Sequence, residues 1–271
     1  KCVTAVTGEL YAEMSHPRTM DVRLGISAKL DFKHIKEVWE GIAAAAKEHE
    51  YKQVTLDLIP SPNGLTISIS SVGETSLLMA KRRPAAKSMD LICVSDNLGA
   101  AYMGFQVLER EKRAFEQSGD VKAQPKLDEY RNLVGAYLKP QINPQIISQL
   151  EDSEIMPSYG YLVTRGLADA VKRLVRDSGL GAKIYVDKLP FAGKTFELGR
   201  ELNIDPVSAA VNGGEDYRLL FTIPIGKHEK FRHDFQTFDV IGHLAKPEVG
   251  AAIVTPDGVE LPLKAQGWKE E

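Results

Sequence analysis

The run Asn212–Gly213–Gly214–Glu215–Asp216–Tyr217 sets two glycines and two adjacent carboxylates in front of Leu219–Leu220–Phe221, an apolar stretch of strand length. Without a Cβ, Gly213 and Gly214 let the backbone make a tight turn or close on a ligand. Glu215 and Asp216 either serve that ligand or simply cap the strand that starts at Tyr217, and the residues alone leave both readings open. Arg165 precedes Gly166 at the start of a predicted helix, where free N–H groups and the helix dipole favour an anion. A guanidinium there can grip phosphate directly, in place of a metal, or pair with Asp169 one turn on. Transfer of a phosphoryl group between two anions needs such cations, supplied as carboxylate-held magnesium or as Arg and Lys. No Ser/His/Asp order, Walker loop or dinucleotide Gly-x-Gly-x-x-Gly is present, and the Gly-Gly pair lacks the Lys and Ser/Thr of a P-loop.

Two segments of α/β character must position these residues. Residues 1–14 read as a helix ended by Pro17, and Val22, Leu24 and Ile26 alternate along a strand over 21–27. Asp31 is a good N-cap for a helix over 32–48, whose Ile35, Val38, Trp39, Ile42 and Ala46 form one stripe for a sheet, with Trp39 in the core. Strands over 53–59 and from Leu65 are joined by the turn Ser61–Pro62–Asn63–Gly64. Lys81–Arg82–Arg83–Pro84 reads as a solvated linker, which puts a domain boundary near residues 80–89. Beyond it a buried strand over 90–95 leads to a helix over 98–110 with Ala101, Tyr102, Phe105 and Leu108 inward. Residues 117–126 read as a loop, 145–151 as a helix, 159–164 as a strand, and 166–177 as a helix closed by Gly179. Strand and helix then alternate to a hairpin at Pro256–Asp257–Gly258.

Composition narrows the function. With 271 residues, 43% hydrophobic and 26% charged, the chain has the make-up of two packed globular domains. A net charge of −3 without a basic stripe gives no electrostatic support to a nucleic-acid or membrane-surface partner. No apolar run approaches the roughly 20 residues of a membrane span, and no signal peptide is visible. Cys2 and Cys93 fit a reducing cytoplasm, and the six histidines lack metal-ligand spacing.

In order and spacing, Leu91–Phe105 with its Ser95–Asp96–Asn97–Leu98–Gly99, the Gly213–Tyr217 run and the ending Lys264–Ala265–Gln266–Gly267–Trp268 resemble the thiamine-monophosphate kinases. That family lies in the superfamily of aminoimidazole ribonucleotide synthetase, and the resemblance covers essentially the whole chain. It implies an α/β (α+β) fold of two domains with mixed sheets covered by helices, divided as 1–84 on the nucleotide side and 85–271 on the substrate side. It also implies ATP and magnesium as cofactors, thiamine monophosphate as substrate, thiamine diphosphate as product, and a homodimer formed by the first-domain sheets.

The acidic motifs of the family are altered here. Its Ser-Asp-Ile-Tyr-Ala-Met aligns with Gly8–Glu9–Leu10–Tyr11–Ala12–Glu13, so Glu9 stands for an aspartate. Its Gly-Gly-Asp-Thr-Thr aligns with Thr55–Leu56–Asp57–Leu58–Ile59, where only Asp57 remains. Its Asp-Ile-Ser-Asp-Gly-Leu aligns with Leu162–Val163–Thr164–Arg165–Gly166–Leu167, where both aspartates are gone. Its glycine-containing turn becomes Asp96–Asn97, and its Gly-Asp-Asp segment has no counterpart after Lys1. By resemblance Glu9 and Asp57 remain as metal ligands, Gly213, Gly214, Glu215 and Asp216 belong at the substrate cleft, and Trp268 either stacks on the thiamine ring or packs on its own domain. Two readings follow: a kinase impaired in its metal cage, or a non-catalytic relative that binds a phosphate ligand or an assembly partner.

Overall fold

The computed structural model describes residues 1–118 and 127–268, and they form two sheets with helices packed on them. The first part comprises α1 (Cys2–Ala12), β1 (His16–Ile26), α2 (Phe32–Glu48), β2 (Gln53–Pro60), β3 (Leu65–Glu74) and α3 (Leu77–Arg82). Its three strands lie in the order β2-β1-β3, parallel between β1 and β2 and antiparallel between β1 and β3. The parallel pair needs a crossover, and α2 supplies it, its first turn capped where Asp31 accepts from the Lys33 amide at 3.0 Å. Ile35, Ile42 and Ala46 of α2 pack on Met20, Val22 and Leu24 of β1, while Val38 and Trp39 are half-buried at the margin.

The second part runs through β4 (Leu91–Ser95), α4 (Ala100–Ser118), α5 (Arg131–Leu138), α6 (Ile146–Asp152), β5 (Gly160–Val163), α7 (Leu167–Ser178) and β6 (Gly181–Tyr185). It continues with α8 (Thr195–Leu202), α9 (Pro206–Asn212), β7 (Arg218–Ile223), α10 (His228–Asp234), β8 (Phe238–Ala245), β9 (Ala251–Val254) and β10 (Glu260–Pro262). The seven strands lie in the order β10-β9-β6-β8-β4-β7-β5, antiparallel except for β6 with β9. Both faces are buried, and every residue of β7 is buried with them, Leu219–Phe221 and Ile223 apolar and Thr222 the one polar side chain after Arg218. Val94, Val163 and Leu220 face a core shared with α7 and α9. Cys93, Leu162, Leu219 and Phe221 face one shared with α1, α6 and α10.

The helix α1 joins the two parts. Val3 enters the core of the small sheet, whereas Tyr11 and Ala12 enter that of the large one. A Cβ at Gly8 would fall 2.5 Å from Leu162 Cδ1, so glycine is what lets α1 lie directly on β5.

Several expectations are corrected. The basic run at 81–84 is no solvated linker: Lys81 and Arg82 end α3. Arg83 donates from Nε to the Ser158 carbonyl at 2.9 Å and pairs with Glu13 at 2.9 Å. α4 runs about two turns past the expected end, taking in Gln117 and Ser118, and the rest of the expected loop, 119–126, lies outside the described residues. α4 also turns a different face inward, burying Ala100, Ala101, Met103, Gly104 and Val107 while Tyr102, Phe105 and Leu108 stay half-buried. The break between the sheets falls between Glu74 and Leu91. No helix among the described residues is long and apolar enough to cross a membrane.

Candidate functional site

The loops at one end of β4, β5 and β7 meet around the Gly-Gly-Glu-Asp run. From the end of α9 the chain passes Gly214, Glu215 and Tyr217 at φ of 75, 63 and 51°, a left-handed passage unusual for the last two. The amides of Glu215 and Tyr217 donate to the carbonyls of Thr164 and Val163 at 2.8 and 2.9 Å, which ties the run to the β5–α7 loop. The glycines serve this packing. A Cβ on Gly213 would lie 2.3 Å from the Ala209 carbonyl and 2.6 Å from Tyr102 Cβ, and one on Gly214 2.9 Å from the Thr164 carbonyl.

Asp216 points inward and is buried. Its Oδ2 accepts from the Gly99 amide at 2.9 Å and its Oδ1 from the Ala101 amide at 3.3 Å, so it caps the start of α4 rather than the strand. Burial pushes its pKa up to about 7, against the two amides and the Arg218 charge, with Asp96 adding to the rise. Glu215 pairs with Lys1 Nζ at 3.0 Å, and that ammonium sits 3.4 Å from the centre of the Tyr137 ring.

Arg165 is exposed, one residue before the N-cap Gly166 of α7, and its side chain has no partner among the described residues. Asp169, the alternative partner, is taken: Arg173 Nε faces it at 3.1 Å and Trp268 Nε1 donates to it at 2.9 Å. Trp268 therefore packs on α7 of its own domain, with Lys172 and Arg176 5.9 and 5.7 Å from its ring. Glu9 stands near Arg173, Glu13 and Asp169. Partial burial raises its pKa, Arg173 opposes that rise, and the two carboxylates add to it. Asp57 is exposed on the face of the small sheet turned away from α2, across from Arg23 at 3.9 Å. Position 162 is core: Leu162 is fully buried beneath Gly8.

These acids are held in separate contacts. Asp216 accepts from the start of α4, Glu215 pairs with Lys1, Asp57 lies exposed near Arg23, and Glu9 belongs to α1, whose Val3 packs in the core on the α2 side of the small sheet. Among the described residues no three His, Cys, Asp or Glu side chains gather so as to hold a metal ion.

Arg218 is the site residue that reading by motif passes over, though a charge opening a buried apolar strand is itself a signal. Its Nε donates to the Asn97 carbonyl at 3.1 Å, and Nη1 reaches the Gln141 carbonyl at 3.3 Å and Asp96 Oδ2 at 3.1 Å. It thereby holds the Asp96–Asn97 loop, with Asp96 at φ 53°, over the end of the sheet.

No family model matches the chain. Across nearly its whole length it is nonetheless similar to thiamine-monophosphate kinases. It is 27% identical to that of Pyrococcus horikoshii over 273 residues, 99% of this chain and 77% of that one. It is 22% identical to that of Aquifex aeolicus over 269 residues, 99% and 79% of the two. Thiamine-monophosphate kinases are thus the proteins this chain resembles along nearly its whole length. Solved structures share its fold. The Aquifex aeolicus thiamine monophosphate kinase superposes with a TM-score of 0.74 at 22% identity, covering 97% of this chain and 83% of that one. A structure of AaThiL complexed with AMPPCP and TMP gives 0.71 at 20%, covering 96% and 79%. E. coli HypE, a hydrogenase maturation protein, gives 0.71 at 16%, covering 98% and 80%. The two-sheet α/β architecture expected of the family is thus the one observed.

Proposed function

We propose that this chain is a thiamine-monophosphate kinase-like protein that binds a phosphate-bearing small molecule without, by itself, assembling the magnesium cage of a kinase. The observation that carries this reading is the pair of replacements at 162 in β5 and 165 in the loop to α7. Leu162 is sealed under α1, and Arg165 stands exposed just before α7, without a partner among the described residues. A guanidinium beside free first-turn N–H groups offers phosphate several charge-assisted hydrogen bonds without a metal. Residues 1–84 and 85–271 act as two domains in this reading, with the ligand against the second. The free cysteines, Cys2 exposed and Cys93 buried, suit a reducing compartment such as the cytoplasm.

Calorimetry with thiamine monophosphate and with ATP, each with and without magnesium, tests the proposal. Thiamine monophosphate should bind equally well in both conditions, and no thiamine diphosphate should form. Turnover above about a hundredth of an ordinary kinase rate of roughly 1–100 per second would overturn it.

The second reading is the family reaction, ATP-dependent phosphorylation of thiamine monophosphate. Its support is the similarity along the whole chain and the AaThiL complex with AMPPCP and TMP. Strict dependence of binding on magnesium would favour it, with Glu9, Asp57, Glu215 or Asp216 as ligands. An assembly role has its precedent in a relative, HypE, solved in complex with HypF.

A further inference from the structure

The end of α2 meets the segment 141–145 along a seam between the two sheets. Gln145 donates from Nε2 to Glu50 Oε1 at 3.1 Å, and Glu48 lines one cavity of about 670 Å³ together with Ile142, Asn143 and Pro144. His49, the C-cap of α2, stands in sequence between those two glutamates and is only 5% exposed. Its Nδ1 lies 3.0 Å from the Tyr11 hydroxyl, the two rings edge to face. The same hydroxyl reaches the Pro144 carbonyl at 3.4 Å. One buried phenol on α1 therefore touches both sides of the seam.

Tyr11 has a single hydroxyl proton, so its bonds depend on the state of the imidazole. With Nδ1 as acceptor, the proton goes to His49 and the Pro144 carbonyl receives none from Tyr11. With Nδ1 as donor, Tyr11 accepts from His49 and its own proton is left for Pro144, over the longer distance. A charged imidazole carries N–H on both nitrogens and permits only the second arrangement. It also places a charge where little offsets it. The titratable groups that bear on the pair are Glu48, Glu50 and Tyr51. Glu48 is exposed, Glu50 accepts from Gln145, and the Tyr51 hydroxyl is bonded to Thr7 and Ser71 at 2.9 and 2.7 Å. Residues 141–146, on the facing side, carry no charged side chain. Burial accordingly outweighs the attraction of Glu48 and lowers the His49 pKa.

We propose that His49 is an acid-operated release for this seam: on taking up a proton it turns out to water, its bond with Tyr11 breaks, and the end of α2 parts from segment 141–145. The open form binds the proton more tightly than the closed one, because water solvates the imidazolium there, and that difference drives the opening. Parting Glu48 from Ile142, Asn143 and Pro144 widens the cavity that they wall. Further along the seam, His16 Nε2 and Glu151 stand 3.2 Å apart, an ion pair when the imidazole is charged, so that contact resists opening in acid. The device involves neither Arg165 nor a ligand and does not rest on the phosphate position at α7.

Hydrogen exchange of the whole chain, read by mass spectrometry between pH 5 and 8 and corrected for intrinsic rates, tests the proposal. Protection of segment 141–151 should fall as pH drops below about 6.5, the value of an exposed histidine. One proton taken up on opening sets the limit at about tenfold per pH unit. His49→Gln should abolish that dependence, whereas His16→Gln should retain it. Tyr11→Phe, which keeps the ring in the core, should lower protection of the segment already at pH 8. Protection that stays flat in the parent, or falls alike in His49→Gln, would overturn the proposal. So would Tyr11→Phe with the parent's protection at pH 8, a result that stands even if His49→Gln fails to fold. Exchange in 141–151 no faster than in β4 and β7 at pH 5 would mean unfolding of the whole chain and would overturn it too.

Discussion

Asp216 is pulled two ways, and pH resolves the contest. Two amides and the Arg218 charge favour its ionised form, whereas complete burial disfavours it and prevails, with the pKa near 7. Between about pH 4 and 7 the folded chain then keeps a proton that the unfolded chain, with its aspartate near 3.9, has released. Stability from this group is therefore full below about pH 4 and is lost as pH rises towards 7. Asp216→Asn cannot ionise and should flatten that slope. Melting followed by circular dichroism at pH 5 and 8 should show the parent losing more than the variant, and equal losses would mean the carboxyl ionises below pH 5. Arg165→Ala belongs at the same scale. An exposed arginine just before the N-cap of α7, without partners among the described residues, carries little packing, so its removal should leave the melting temperature intact. Phosphate-ligand affinity should fall by about 1.5–3 kcal/mol, the range for a hydrogen bond to a charged group. Calorimetry that finds no loss would make it an ordinary surface residue. Motif and spacing singled out Asp216 and Arg165 as candidates, but what Asp216 binds was out of reach, because its partners, Gly99 and Ala101, lie more than a hundred residues away.

The contact of α1 with β5 closes over position 162, where the resemblance implies an aspartate. An aspartate at 162 would need water or cations around it, but Gly8 lays α1 on that position, and Leu162 fills the space with Ile142 nearby. Leu162→Asp should therefore destabilise the chain by about 2–5 kcal/mol, the combined loss of buried leucine and burial of an unpaired carboxyl. Urea unfolding with and without magnesium is the measurement, and stabilisation by the metal would show that the carboxylate site can be rebuilt by one substitution. Elements with local signals were legible: the Asp31 cap of α2, the Gly179 end of α7 and the alternation along β1 and β3. The inward face of α4 was not. Large apolar side chains suggested Tyr102, Phe105 and Leu108, yet a Cβ at Gly104 would lie 2.0 Å from the Leu133 carbonyl. Close approach of α5 selects the small residues instead, and a single helix does not announce how near its neighbour will come. The basic run at 81–84 misled for a related reason, since the acceptors of Arg83 come from Glu13 at the end of α1 and from the loop before β5.

At the scale of the whole molecule the fold was readable by resemblance, while the surface chemistry of the small sheet emerges only from the strand register. The face away from α2 carries Asp21 opposite Thr55 and Ser70, and Arg23 opposite Asp57 and Ser68, so it is polar. The apolar surface lies at the edges: Leu56, Leu58 and Ile59 on β2 are 39, 49 and 44% exposed, and Val72 on β3 is 60% exposed. Both strands end the sheet, and an edge strand that shows unpaired backbone together with leucines is a template for a second chain. A second copy, related by a two-fold axis, meets that surface with the same surface of its own. The chain should therefore be a dimer in solution, of twice 29.9 kDa by light scattering at micromolar concentration. Leu56→Glu/Leu58→Glu should shift it to the monomer, because like charges would then face each other across the axis. Both side chains are exposed in the single chain, so far-ultraviolet circular dichroism of the variant should match the parent's. A parent that scatters as a monomer, or a double variant that stays dimeric, would move the contact away from β2 and leave its leucines as surface residues.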